Sequence, residues 1–301
     1  MFKKIKPWIS AFRLRTLPLS VSGIIIGACL AEHNGAFNYF IFIIALLLTI
    51  SLQILSNIAN DYGDGVKGTD NHTRIGPERA IQSGAISEDE MMLGIKNNIL
   101  IVIGLTVLLI YVSFGVNHLL LTLLFFLLAG LSIYAAVTYT VGKSAYGYRG
   151  LGDLFVFIFF GFVSVGGSYM LFVKHLDHHI FLPAISLGLL STGVLNLNNM
   201  RDIESDKASN KMTLAVKLGK KRAKQYHLFL IGSAIAVSML FAVLYYSSFY
   251  NLLFFIAYIP LTIHIIKVIK AKSPSDFDPQ LKVLALTTFL FSVLLGIGYI
   301  L

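Results

Sequence analysis

Charge is scarce in this sequence. Asp, Glu, Lys and Arg make up 13% of its 301 residues, about half the share carried by a soluble domain, which excludes an ordinary water-facing surface. Cysteine is almost absent: Cys29 stands alone, so no intramolecular disulfide framework exists. Tryptophan also occurs once, and Trp8 beside Lys6 and Pro7 reads as an anchor at a membrane interface. Histidine and cysteine are missing from the polar clusters described below, which removes the soft ligands that zinc or copper prefer.

Apolar residues fill the gap. They form 56% of the chain, with a mean hydropathy of +0.77, and they fall in runs of the roughly 20 residues that a helix needs to cross a hydrocarbon core. About nine such runs are legible, near 17–32, 38–56, 95–115, 119–138, 153–173, 180–199, 226–246, 251–268 and 283–301. The expected fold is therefore all-α, a multi-pass transmembrane bundle. Its 301 residues are read as one domain with longer cytoplasmic cap loops near 57–94, 139–152 and 201–225.

A net charge of +9 would suit a nucleic-acid binder if the basic residues formed a patch. They follow topology instead. With the N-terminus in the cytoplasm, only Lys174 of the 24 Lys and Arg falls on the outer side. This positive-inside pattern sets the expected orientation and span count, and it implies a cytoplasmic (inner) membrane protein with no nucleic-acid partner. Ile26-Gly27-Ala28-Cys29 has the form of a lipoprotein processing site. An uncleaved first span is the preferred reading, since a multi-span chain already has its anchor.

Two cytoplasmic connections carry most of the acids. The first opens Asn57-Ile-Ala-Asn60-Asp61-Tyr-Gly63-Asp64 and continues to Asp70. The spacing of Asn57, Asp61 and Asp64 puts all three on one face if the second helix continues. The second runs Asn198-Asn199-Met-Arg201-Asp202-Ile-Glu204-Ser-Asp206, where Asn198, Asp202 and Asp206 share a face. Each follows an even-numbered span, four spans apart, which predicts that an internal repeat brings the two clusters face to face. Gly63, Gly65 and Gly68 are expected to end the second helix, and Ser87 to Glu90 reads as the capping box that starts the third.

Acids of one sign near membrane helix ends call for a cation. Oxygen ligands alone suit Mg²⁺, which binds through a few carboxylates and keeps room for phosphate oxygens. With Lys67, Lys143, Arg201, Lys207 and Lys211 nearby, the two clusters read as a diphosphate clamp. Solvated helix caps are the plain alternative, and two clusters with Asn on the same face argue against it.

The segments 60–70 (NDYGDGVKGTD), 74–84 (RIGPERAIQSG) and 201–219 (RDIESDKASNKMTLAVKLG) resemble the UbiA superfamily of intramembrane prenyltransferases, most closely the branch acting on 1,4-dihydroxy-2-naphthoate. FRLRTLP at 12–18, YTVGK at 139–143 and GLGD at 150–153 are similar too, so the likeness covers nearly the whole chain. It implies nine helices around a central cavity and two Asp motifs that bind Mg²⁺ and diphosphate. Asp61 and Asp202 would be central to catalysis, with Asn57, Asp64, Asn198 and Asp206 completing the metal set; whether Asp64 or Asp70 closes the first shell stays open. The implied reaction joins a polyprenyl diphosphate to 1,4-dihydroxy-2-naphthoate, giving demethylmenaquinone, diphosphate and CO₂.

On that reaction, Tyr139 and Tyr146 offer aromatic faces to an allylic cation. Arg13, Arg15 or Arg79 would hold the acceptor's carboxylate, as Arg does better than Lys. Asp153 would orient or deprotonate a ring hydroxyl, or else act as a helix cap. Phe155, Phe157, Phe159, Phe160 and Phe162 either line the route of the tail or face lipid and neighbouring helices, the commoner case. His175, Asp177, His178 and His179 could bind a metal, although a solvated loop is the simpler reading. The rivals are a secondary transporter, which would place such acids near the midplane, a prenyltransferase using 4-hydroxybenzoate or homogentisate, and a purely structural membrane protein.

Overall fold

A computed structural model describes residues 5–69 and 77–301. Among them are nine helical segments long and apolar enough to cross a membrane, and no strand. They are α1 (Ile5–His33), α2 (Tyr39–Val66), α3 (Glu88–Phe114), α4 (Leu119–Thr138), α5 (Gly152–Val173), α6 (His178–Arg201), α7 (Leu214–Leu244), α8 (Phe249–Lys270) and α9 (Pro274–Ile300). The chain is an integral membrane protein, and the expected all-helical architecture is observed.

Local chemistry sets the helix starts. The Asn38 side chain accepts from the Phe40 and Ile41 amides to open α2, and Ser87 with Glu90 forms the expected capping box of α3. Thr213 caps α7. Where the structure departs from expectation is the end of α2. The helix runs ten residues beyond 56, to Val66, through two of the glycines expected to stop it. Those two make room instead. A Cβ on Gly63 would lie 2.7 Å from the Thr140 carbonyl carbon, and one on Gly65 would lie 2.7 Å from the Ile81 side chain. Only Gly68, with φ +70°, adopts the left-handed conformation that turns the chain.

α1 is broken at Arg13, whose φ of 50° is unusual for a residue with a side chain. The break is held in place. Asn57 Nδ2 donates to the freed Phe12 carbonyl at 2.9 Å, and the Thr16 hydroxyl donates to the Arg13 carbonyl at 2.9 Å. Trp8 packs on Gly94 at the head of α3, where a Cβ would meet its ring at 2.5 Å.

α6 is the hub of the bundle, packing on α5, α7 and α9. Small residues let helices approach closely: Gly27 against the Val165 carbonyl, Gly188 against Phe157, and Gly296 against Cys29. That last contact closes the ring, since α9 returns to pack along α1. α5 is π-helical from Phe157 to Gly167, a departure from α-helix that commonly marks functional segments. α4 is the opposite of α6, with Ala135 its one buried residue. Between α7, α8 and α9 the fully buried His227 and His264 meet through their Nε2 atoms at 2.9 Å, and His264 Nδ1 lies 3.1 Å from Gln280 Oε1.

Between α5 and α6, Asp177 accepts from the Tyr169 hydroxyl and lies 3.3 Å from His175. No three His, Cys, Asp or Glu among the described residues are grouped to hold a metal; His178 packs against Tyr245, and His179 against Tyr169 and Tyr245.

Candidate active site

Seven of the nine helices, α1 to α6 and α9, line a cavity of about 650 Å³. Its polar end is formed by the break in α1, the last turns of α2 and the α6–α7 connection. Its other end is apolar, bounded by Ile24, Ala45, Leu109, Ile110, Phe125 and Leu171.

The long α2 carries Asp64 to the polar end, and the short helix Ile203–Ala208 carries Asp206 there. The two motifs meet at one atom. Lys211 Nζ lies 2.9 Å from Asp64 Oδ2 and 3.8 Å from Asp206 Oδ1. The Tyr148 hydroxyl donates to the other Asp64 oxygen at 2.7 Å and meets Thr69 Oγ1 at 2.6 Å. Burial opposes the charge on Lys211, but Asp64 and Asp206 outweigh it and hold the ammonium well above the ordinary lysine value. Burial first and Asp64 second push the Tyr148 hydroxyl up, which keeps it a neutral donor.

Asp202 and Asn198 also line the cavity, but their oxygens are engaged. Arg201 Nε and Nη2 donate to the two Asp202 oxygens, each at 2.7 Å, and Nη2 donates to Asn198 Oδ1 at 2.9 Å. Its Nη1 reaches Asp278 Oδ1 at 2.5 Å. Asn57 lines the cavity while its amide bonds Phe12, Thr16 and Gln53.

Arg13, Arg15, Arg79, Tyr139 and Tyr146 line the chamber as well, and Arg13 Nη2 donates to Asn60 Oδ1 at 3.1 Å. Burial, ahead of the local charges, pushes the Tyr139 hydroxyl up and keeps it neutral. Tyr146, Phe155 and Phe159 stack in a column along the wall, with centroids 4.0 and 6.1 Å apart.

Several expected site residues lie off the lining. Asp61 is buried beneath the cap segment, where Oδ2 accepts from the Ala80 amide at 3.2 Å and Oδ1 has no partner. Asp153 faces α6 and α7, with its carboxylate beside the Tyr226 hydroxyl. Leu151 occupies the cap position that the alternative reading gave to Asp153. Arg201 is wholly buried and turned to Asp202 and Asp278. Lys67 donates to the Thr140 carbonyl at 2.6 Å, and Lys143 and Lys207 are exposed. Asp70 and the 74–76 part of the RIGPERAIQSG segment lie outside the described residues.

Three contributors were missed from the sequence: Tyr148, Asp278 and Lys282, the last two lining the cavity from the head of α9. Asp278-Pro279 reads as an ordinary helix start, and nothing in the order of residues shows that α9 returns to the site.

The donor set is all oxygen, and the two motifs bracket a cation, the Lys211 ammonium, within the cavity. No three acids converge into a protein-only cage among the described residues. A hard divalent ion sharing its shell with phosphate oxygens fits these residues, and Asp61 Oδ1, one helical turn before Asp64, has no hydrogen-bond partner.

The UbiA prenyltransferase family model matches residues 20–299. The chain belongs to the UbiA prenyltransferase family. The 1,4-dihydroxy-2-naphthoate octaprenyltransferase of Haemophilus influenzae is 41% identical over 98% of this chain and 96% of its own length. The protein of that name from Escherichia coli is 43% identical over 84% of this chain and 82% of its own. A UbiA homologue from Archaeoglobus fulgidus, solved bound to GPP and Mg²⁺, shares the fold at a TM-score of 0.65 and 15% identity, over 96% of this chain and 99% of that one.

Proposed function

We propose that this protein transfers the prenyl group of a polyprenyl diphosphate to 1,4-dihydroxy-2-naphthoate, releasing diphosphate and CO₂ and giving demethylmenaquinone in its quinol form. The observation that carries the proposal is the meeting of Asp64 and Asp206 at Lys211, at the polar end of a cavity that continues into apolar walls. An amphiphile with a diphosphate head and an isoprenoid tail has the same division. The relatives named as octaprenyltransferases support the acceptor.

Asp61, Asp64, Asp202 and Asp206 are the residues that would hold Mg²⁺, with Asn57 and Asn198 beside them. When bound, the ion would neutralise the charge that develops on the departing diphosphate. Lys211 adds a fixed positive charge at the same point, and Tyr148 keeps Asp64 oriented. Tyr139 and Tyr146 present π-faces to the allylic carbon as its C–O bond breaks. The apolar wall keeps water from that carbon. An electron-rich ring carbon of the acceptor then forms the new C–C bond. Arg13, Arg15 and Arg79 lie where they can hold the acceptor carboxylate until it leaves as CO₂.

The tail leaves sideways. α4 and α5 both line the cavity, through Ala129 and Ser132 on one and Phe155 and Phe159 on the other, yet scarcely touch each other, and the tail would pass out between them. Phe155, Phe159 and Phe160 line the chamber, whereas Phe157 packs on Gly188. The protein resides in a cytoplasmic membrane, with Lys and Arg drawing the polar end of the cavity to the cytoplasmic side.

Membranes containing the protein, supplied with Mg²⁺, geranylgeranyl diphosphate and dihydroxynaphthoate, should yield one prenylated, decarboxylated product by mass spectrometry. Product from 4-hydroxybenzoate or homogentisate alone would replace the acceptor. Substrate uptake into proteoliposomes without any product would favour a transporter instead.

A further inference from the structure

We infer that Asp278, on the last helix and outside both Asp motifs, is a positioning residue that holds Arg201 so that Asp202 can be given up to a bound cation. The inference rests on the prenyl-transfer reading only for what the cation then does.

Arg201 is fully buried, so its guanidinium must keep a counter-charge at all times. In the structure it takes both oxygens of Asp202. A carboxylate so engaged has little left for a metal, although Asp202 lines the cavity. Asp278 resolves the conflict. It bonds Arg201 through one oxygen at 2.5 Å, and its side chain is 39% exposed towards the chamber. With Asp278 in place, Asp202 can turn away without leaving a buried arginine unpaired.

The position of Asp278 is itself held. It opens the regular α-helical part of α9, with Pro279 fixing the first turn. Two residues on, Gln280 is buried and pairs with His264, which pairs with His227. This chain ties the head of α9 to α7 and α8, which gives the buried histidines a role the reaction otherwise leaves unassigned.

The test uses the full chain in detergent, with Mn²⁺ binding followed by electron paramagnetic resonance in the absence of substrate. Asp278→Asn should leave Arg201 dependent on Asp202 and weaken Mn²⁺ binding about tenfold or more, the scale typical of losing an outer partner of a metal ligand. Asp278→Glu should stay within about threefold of wild type. Asp276→Asn removes the same charge close by without touching Arg201, so it reports any general field effect and should change binding by less than about twofold. Arg201→Lys loses the two-pronged grip on Asp202 and should bind Mn²⁺ more tightly. In the transferase assay, Asp278→Asn should raise the Mg²⁺ requirement by a similar factor, with excess Mg²⁺ recovering most turnover.

Unchanged Mn²⁺ affinity in Asp278→Asn, equal weakening in Asp276→Asn, or weaker binding in Arg201→Lys would each overturn the inference. If Asp278→Asn does not fold, the sign of the Arg201→Lys change decides it. If the Mn²⁺ results hold and no aromatic acceptor is prenylated, the prenyl-transfer reading fails and the role of Asp278 stands.

Discussion

Lys211 sits where two carboxylates from distant parts of the chain would otherwise repel. Its raised pKa means that its stabilisation is full below the unfolded lysine value of about 10.4 and is lost only as pH rises through the higher folded value. Nothing is lost across the physiological range. Removing the charge is another matter. Lys211→Met strips the buried Asp64 and Asp206 of the ammonium they share, and should cost about 3–5 kcal/mol. Mg²⁺ should then raise the melting temperature of the variant more than that of wild type, because the divalent ion replaces the missing charge. Differential scanning fluorimetry with and without Mg²⁺ checks both; an unchanged melting temperature would show that the two acids do not depend on Lys211.

At the scale of elements, α2 positions the first motif because it refuses to stop at its glycines. Gly63→Ala should push the helix from Thr140 and lower stability by about 1–3 kcal/mol. Gly104→Ala in α3 meets nothing within 4 Å and should be tolerated, which a side-by-side thermal melt would show. The slot between α4 and α5 makes a separate prediction. Ala129→Trp should cut turnover of a long polyprenyl diphosphate about tenfold or more while leaving geranyl diphosphate within about threefold; equal losses for both lengths would place the tail elsewhere.

Much of this was legible from residue order. The spacing of Asn57, Asp61 and Asp64 put all three on one face on condition that the second helix continued, and hydropathy marked all nine spans. What could not be read was direction. Asp61 shares a face with Asp64 but turns under the cap at Ala80, a difference of side-chain aim that period alone does not encode. Arg201 beside Asp202 looked like an anion ligand, and only the folded site shows both Asp202 oxygens gripping it. Asp278 was hidden by distance along the chain.

For the molecule as a whole, the lopsided distribution of Lys and Arg predicts one orientation. Single cysteines at Lys143 and Lys174, in a Cys29→Ala background, should label from opposite sides of the membrane with an impermeant maleimide. Labelling of both from one side would rule out the orientation derived from charge.

The seam between α1 and α9 has a bearing on biosynthesis. Because α9 supplies Asp278 and Lys282 and completes the wall against α1, a nascent chain inserted only through α8 holds an open trough of acids and arginines. The catalytic chamber is finished only once α9 has inserted, so a stall before that point should leave a protease-sensitive, metal-blind intermediate in place of a partly working enzyme.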